Sequence, residues 1–356
     1  MSFIQQLKQA LPPIIPIKPR NEADYYGVSH IIAHDLGLRK APRSFAYWTH
    51  GWVYVEPIDS SKEINCWAKP SDVVLVATQK EVEILKLESY RKAHAVGMPF
   101  LYTKDIEVKR HPRSLLVMPA HSGSQSGIEA DEESYISKLL VLKPFFSEIV
   151  ACIHSSCVVN KYWIPSLEKA GIPWILGASV FDRNALQKMR NIFKHFEYMT
   201  TNTIGSHIPY SAYCGCKVSI YDYNRFKLET HEKDPWYQKN PDLLWKQYEM
   251  CHENVLSRRF PTFFTHPTEA ILHQDWASQV LGKSHHQPPE MIAHLLGWNL
   301  KEQSFGYFKY CIDYLLESDR RKILIQKIFN TIKLNPRYDG FELDIIAEQI
   351  KNSANK

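Results

Sequence analysis

Alternation constrains this chain more than any other feature. Short apolar runs of strand length recur, each followed by a stretch with helical spacing. Val73-Val-Leu-Val-Ala77 reads as a buried strand, Glu81 to Tyr90 as a helix, and Ala93 to Val96 as the next strand, closed by Gly97-Met-Pro99. The series then restarts: Ser114 to Met118 (strand), Glu132 to Lys143 (helix), Ile149 to Ile153 (strand), Tyr162 to Ala170 (helix), Trp174 to Leu176 (strand), Asn184 to His195 (helix), and a last strand at Lys217 to Tyr221. Uninterrupted apolar strands alternating with helices require a parallel sheet covered on both faces, the α/β class. Two such series, joined near residues 103–113, predict two Rossmann-like domains with parallel sheets facing a central cleft, followed by a helical C-terminal region. The expected divisions are 1–110, 111–300 and 301–356, with the last set of helices packing back on the first domain. Gln303 to Leu316, Arg321 to Ile332 and Phe341 to Lys351 are its expected helices.

The 356 residues are 44% hydrophobic and 23% charged, enough apolar mass for sizeable cores. A net charge of +5 is too weak to argue for nucleic acid and suits anionic small substrates or an anionic membrane surface. The seven Cys include no Cys-x-x-Cys pair, so reduced thiols in a cytoplasmic protein are expected. No apolar stretch approaches the ~20 residues that span a bilayer. A cytoplasmic place follows as the expectation, with peripheral contact at an inner membrane left open.

In an open α/β sheet the ligand sits outside the carboxyl ends of the strands, so the polar residues there are the site candidates. The richest segment is Thr201-Asn202-Thr203-Ile204-Gly205-Ser206-His207, crowded before a short helix. Gly205 permits close backbone approach, Ser206 suits an N-cap, and His207 adds a donor, a combination that fits a phosphate. An ordinary capped helix is the competing reading. Pro119-Ala120-His121-Ser122-Gly123 follows the 114–118 strand and reads as a phosphate or sugar contact. Glu129 and Asp131 continue that loop as carboxylates for acid–base work or for helix capping. His50 ends the first apolar run beside Trp52. It reads equally as a base or sugar hydrogen-bonding group and as part of a tight turn. Asp182 precedes the Asn184 helix, either capping it or projecting into the cleft. No Walker A motif, Gly-x-Gly-x-x-Gly fingerprint or Asp-x-Asp motif is present, so neither a resident metal nor a cofactor is expected.

Leu116-Val-Met-Pro-Ala-His121-Ser122, Thr201 to His207, Tyr210 and Gly215-Cys-Lys-Val218 resemble segments of GT-B glycosyltransferases of bacterial surface-polysaccharide synthesis. The resemblance is to the group using CMP-activated acidic sugars, the Kdo transferases and bacterial sialyltransferases. It implies a metal-independent transferase moving a Kdo- or sialic-acid-like sugar from a CMP donor to a glycan or glycolipid acceptor in capsule or lipopolysaccharide synthesis. His121 and Ser122 would hold the nucleotide phosphate from one side, and Asn202, Thr203, Gly205, Ser206 and His207 from the other. Asp182, Glu129 or His50 would carry the chemistry. A GT-B enzyme using a UDP- or GDP-sugar, and a non-catalytic GT-B-like binding protein of an assembly complex, remain the alternatives.

Overall fold

The computed structural model describes residues 2–64, 68–121, 131–232 and 234–316. It is an α/β protein built on two parallel sheets. The first has three strands in the order β1-β2-β3: β1 (Tyr47–Trp48), β2 (Val74–Val76) and β3 (Ala93–Ala95), with α3 (Gln79–Leu87) crossing between the last two. β2 is central, and all three of its side chains are buried. Ahead of it lie α1 (Phe3–Ala10) and α2 (Val28–Asp35).

The second sheet has five parallel strands, β4 (His111–Val117), β5 (Glu148–Ile153), β6 (Trp174–Leu176), β7 (Phe196–Thr201) and β8 (Lys217–Ile220), in the order β6-β5-β4-β7-β8. Its connections are α4 (Glu132–Val141), α5 (Ser155–Val159), α6 (Ile164–Lys169), α7 (Ala185–His195) and α8 (His207–Tyr213). From β4 the chain steps outward through β5 and β6, then jumps back to add β7 and β8 on the other side. The order therefore reverses between β4 and β7, and that is where an open α/β sheet leaves a crevice at its carboxyl edge. β4 shows why its apolar run is unbroken. Leu116 faces one hydrophobic cluster, while Leu115 and Val117 face another with Tyr135, Leu139 and Trp163. Both faces are dry, as a parallel sheet between helices requires.

β7 has no counterpart in the sequence reading, which passed from the helix at 184–195 to a loop at residue 200. Phe196 opens β7 directly after His195 closes α7, with no turn residue between them. The strand's own pattern, Phe196-Glu-Tyr-Met-Thr-Thr201, mixes polar and apolar side chains. A helix that passes straight into a strand leaves no punctuation to read.

The expected division at 110/111 is crossed by packing in both directions. One apolar cluster runs from Trp48 and Leu75 of the first sheet through Phe100, Phe193 and Tyr210 to Leu116 and Val150 of the second. The Phe100 and Tyr210 rings stack at 4.2 Å, 8° from parallel. Phe3 of α1 stacks on His111 at the start of β4. After the short helices α9 (Leu228–His231), α10 (Pro235–Lys239), α11 (Pro241–Met250) and α12 (Glu253–Arg259), α13 (Gln274–Val280) leads the chain back to the first sheet. There Met98 donates its N–H to Leu281 O at 2.9 Å. Gly282, at φ +72°, lies so close that a Cβ would fall 2.0 Å from Ala77 O. α14 (Pro289–Leu295) and α15 (Leu300–Leu316) complete the described helices, and Phe45 meets Tyr307 of α15 edge-on at 5.6 Å. The helices expected at 321–332 and 341–351 lie outside the described residues. No described helix is long and apolar enough to cross a membrane.

Candidate functional site

The crevice between the carboxyl ends of β4 and β7 gathers histidines from three strand ends. His121 follows β4, His154 follows β5 and His207 opens α8 after β7. The His121 and His154 rings stack, 4.5 Å between centroids and 25° from parallel. Burial pushes the His154 imidazole down to about 3, helped by positive charge at His121 and Lys188. Burial pushes His207 down to about 3 as well, with His121 the second cause. Both rings are neutral at pH 7. His154 Nδ1 accepts the Ser156 N–H at 3.2 Å, so its proton sits on Nε2, which leaves that nitrogen a donor. His207 Nε2 lies 2.9 Å from Thr201 Oγ1, and the same hydroxyl accepts the Thr203 N–H.

The polar residues before α8 hold this arrangement rather than lining open space. Asn202 is 1% exposed, and its Oδ1 accepts the Ala120 N–H at 2.8 Å, pinning the loop that carries His121. The Trp163 indole donates to Ala120 O from the other side at 2.8 Å. Gly205 keeps room for the His207 ring, whose Cε1 and Nδ1 would lie 3.2 Å from an added Cβ. Ser206 is not the side-chain cap its position suggested. Its Oγ accepts the Trp52 N–H at 2.8 Å, tying the loop after β1 to the start of α8.

A second link runs beside it, from the Tyr210 hydroxyl to His50 O at 3.0 Å. The His50 ring lies against Tyr25 and Tyr26, with centroids at 5.2 and 5.5 Å. Its Nδ1 is hidden from solvent without a hydrogen-bond partner, and burial pushes the imidazole down to about 4. A base that weak suits hydrogen bonding better than proton abstraction near neutral pH.

Asp182 does not project into a cleft. It is 0% exposed, and its Oδ1 accepts N–H groups from Ile15 (3.1 Å) and Asn184 (3.0 Å). Its Oδ2 lies 3.2 Å from the buried Lys188 Nζ, an ion pair without hydrogen-bond geometry. Every contact is spent on fixing the N-terminal lead-in and the entry to α7. Asp131 caps α4 through the Ser134 N–H. Ser122 and Glu129 lie outside the described residues. Among the described residues no three His, Cys, Asp or Glu side chains converge as a metal site requires.

His154 follows from the strand-end rule once β5 is placed next to β4, where its ring meets His121.

Three imidazoles that fold neutral make the chain lose stability in acid, against the opposite pull of the Glu22 carboxyl, which burial pushes up to about 8. Their folded values of about 4 (His50) and about 3 (His154, His207) lie below the 6.5 of a free imidazole. The unfolded chain therefore binds more protons on acidification, so their stability contribution is complete above 6.5 and is lost toward 3. The melting temperature should fall steadily from pH 6.5 to pH 4, and His207→Gln should flatten the slope. A melting temperature flat over that range would contradict the buried neutral rings.

No family of known proteins matches the sequence, and no curated protein does. Among solved structures the chain is similar to the pneumococcal O-GlcNAc transferase GtfA in complex with UDP and GlcNAc, at 12% identity and a TM-score of 0.31, over 73% of this chain and 52% of that one. It is also similar to the GtfA/B complex, at 10% identity and a TM-score of 0.30, over 65% of this chain and 46% of that one. The chain thus spans about half the length of the structures it matches.

Proposed function

We propose that this chain is a glycosyltransferase that takes a sugar from a nucleotide donor, with the donor phosphate in the β4–β7 crevice. The observation that carries the reading is the convergence of His121, His154 and His207 at the point where the strand order reverses. A departing nucleotide gains negative charge on its phosphate oxygens. Preformed N–H donors in a water-poor site stabilise that charge more than they stabilise the ground state. A neutral imidazole facing growing negative charge also becomes more basic, so it can hold a proton against the leaving oxygen. In this reading imidazole N–H groups, rather than a divalent cation, hydrogen-bond the phosphate oxygens.

The residue resemblance favours a CMP-linked acidic sugar as donor and a glycan or glycolipid as acceptor, and a UDP- or GDP-sugar is the competing choice. A thermal-shift panel of CMP, UDP and GDP with EDTA present separates them. One nucleotide at a hundred times its Kd should stabilise the fold by about 2.7 kcal/mol. CMP giving the largest shift supports the CMP reading, and UDP or GDP giving it replaces the donor. No shift from any of them, with or without added magnesium, removes the reading.

A further inference from the structure

A second concavity, of about 350 Å³, opens at the carboxyl edge of the first sheet, where the chain leaves β1 and β2. It sits at the small end of the ~300–1,000 Å³ range of small-molecule sites. Its apolar wall is three half-buried rings: Trp52 after β1, Phe260 after α12 and Trp276 on α13. The rings meet at steep angles: 89° between Trp52 and Trp276, 64° between Trp52 and Phe260, and 74° between Phe260 and Trp276, with centroids 5.5 to 6.3 Å apart. Such rings make a corner, not the parallel slot that would sandwich a flat base. A corner suits a chair-shaped ring that presents C–H groups on one side and hydroxyls on the other.

The polar side of the cavity supplies partners for those hydroxyls. Glu56 lies between two cations, 3.2 Å from Lys80 Nζ and 3.0 Å from Arg259 Nη2. One carboxylate shared by two cations sets donors and acceptors side by side on the rim. Glu81 also lines the cavity, and its Oε2 accepts the Thr78 N–H at 2.7 Å and the Thr78 hydroxyl at 3.1 Å, closing the cap of α3. The cavity is also joined to the histidine crevice. Trp52 forms its wall, and the Trp52 N–H is the group bound by Ser206 at the start of α8.

We propose that this cavity binds a pyranose ring, its C–H face against Trp52, Phe260 and Trp276 and its polar groups on Glu56, Lys80 and Arg259, and that this ring belongs to the acceptor. The acceptor role rests on the glycosyltransferase reading above; the binding of a saccharide does not.

The test is saturation-transfer NMR on the full chain without nucleotide, using the methyl glycosides of galactose, N-acetylglucosamine and N-acetylneuraminic acid as probes. At least one should take up saturation at its ring protons, and Lys80→Ala, Glu56→Gln and Trp276→Phe should each weaken binding about tenfold. Lys80 and Glu56 are at least half exposed, so their variants keep the test open if a Trp276 variant does not fold. No saturation of any probe, or equal saturation in wild type and all three variants, overturns the proposal. Loss of the nucleotide-induced melting shift in Lys80→Ala would place a nucleotide in the cavity and also overturn it. If a nucleotide stabilises the chain and no saccharide binds, the cavity assignment fails and the transferase reading stands. If a saccharide binds and no nucleotide stabilises, the reverse holds.

Discussion

Replacing His207 with alanine should lower kcat by about a hundred- to a thousand-fold with the donor chosen by the nucleotide panel, the loss expected when one preorganised donor to a developing oxyanion is removed. The expectation rests on position and on protonation. His207 is the first residue of α8 and directly follows the loop after β7, so its ring stands at the β4–β7 reversal. Burial keeps it neutral, and Thr201 Oγ1 at 2.9 Å fixes its orientation. A neutral ring held in one orientation spends no reorganisation energy when charge develops beside it. His207→Gln separates donation from packing, because an amide can keep one N–H near the same place. It should recover part of kcat, with KM for the donor less affected than kcat. The assay is nucleotide release at saturating donor, with circular dichroism and melting temperature as controls for folding. A folded His207→Ala protein that turns over at the wild-type rate would end the role given to this crevice.

The strands of both sheets were legible where apolar residues run unbroken between turn signals, as at β2, β4 and β5. Such a run survives only where both faces are buried, so pattern and fold carry the same information there. β7 was not legible. It has Glu197 and Tyr198 among its first three residues, both only half-buried, and no Gly or Pro separates it from α7. That one omission hid the strand reversal, because β7 is what lies beside β4. A break between βα series in the sequence does not forbid a shared core, and Phe100 on Tyr210 shows one.

The candidate site was legible by residue type, and the partners of its polar atoms were not. Asn202, Gly205 and Ser206 do cluster with His207, but Asn202 Oδ1 is held by the Ala120 N–H and Ser206 Oγ by the Trp52 N–H, while Gly205 leaves room for the His207 ring. Polar residues in a buried loop must satisfy the backbone first, and sequence spacing cannot say which partner they find. The cavity of the first sheet was beyond reach from sequence. Its wall and rim come from α3, α12, α13 and the loop after β1, positions more than two hundred residues apart that only the return of the chain at Leu281 brings together.

Asp182 gives the sharpest contrast between a catalytic and a structural carboxylate. Asp182→Ala should destabilise the fold by about 3–5 kcal/mol, the cost of leaving one member of a buried ion pair without its partner. The side chains of Asp182 and Lys188 are 1% and 4% exposed, so water cannot replace the lost contact. The Ile15 and Asn184 N–H groups lose their acceptor in the same step. The lead-in would keep its backbone bonds, from Ile17 N to Phe181 O and from Arg183 N to Ile15 O, both 2.8 Å. The chain should therefore still fold, with a melting temperature lower by on the order of 10 °C. Adding Lys188→Met to Asp182→Ala removes the stranded ammonium and should restore much of the loss, since replacing a buried pair with apolar groups is often neutral. A catalytic carboxylate makes the opposite pattern: Asp182→Asn would keep the melting temperature and abolish transfer, and the Lys188 change would rescue nothing. Melting curves and turnover on the same four proteins, wild type, the two Asp182 variants and the double variant, decide between these roles without reference to any donor sugar's identity.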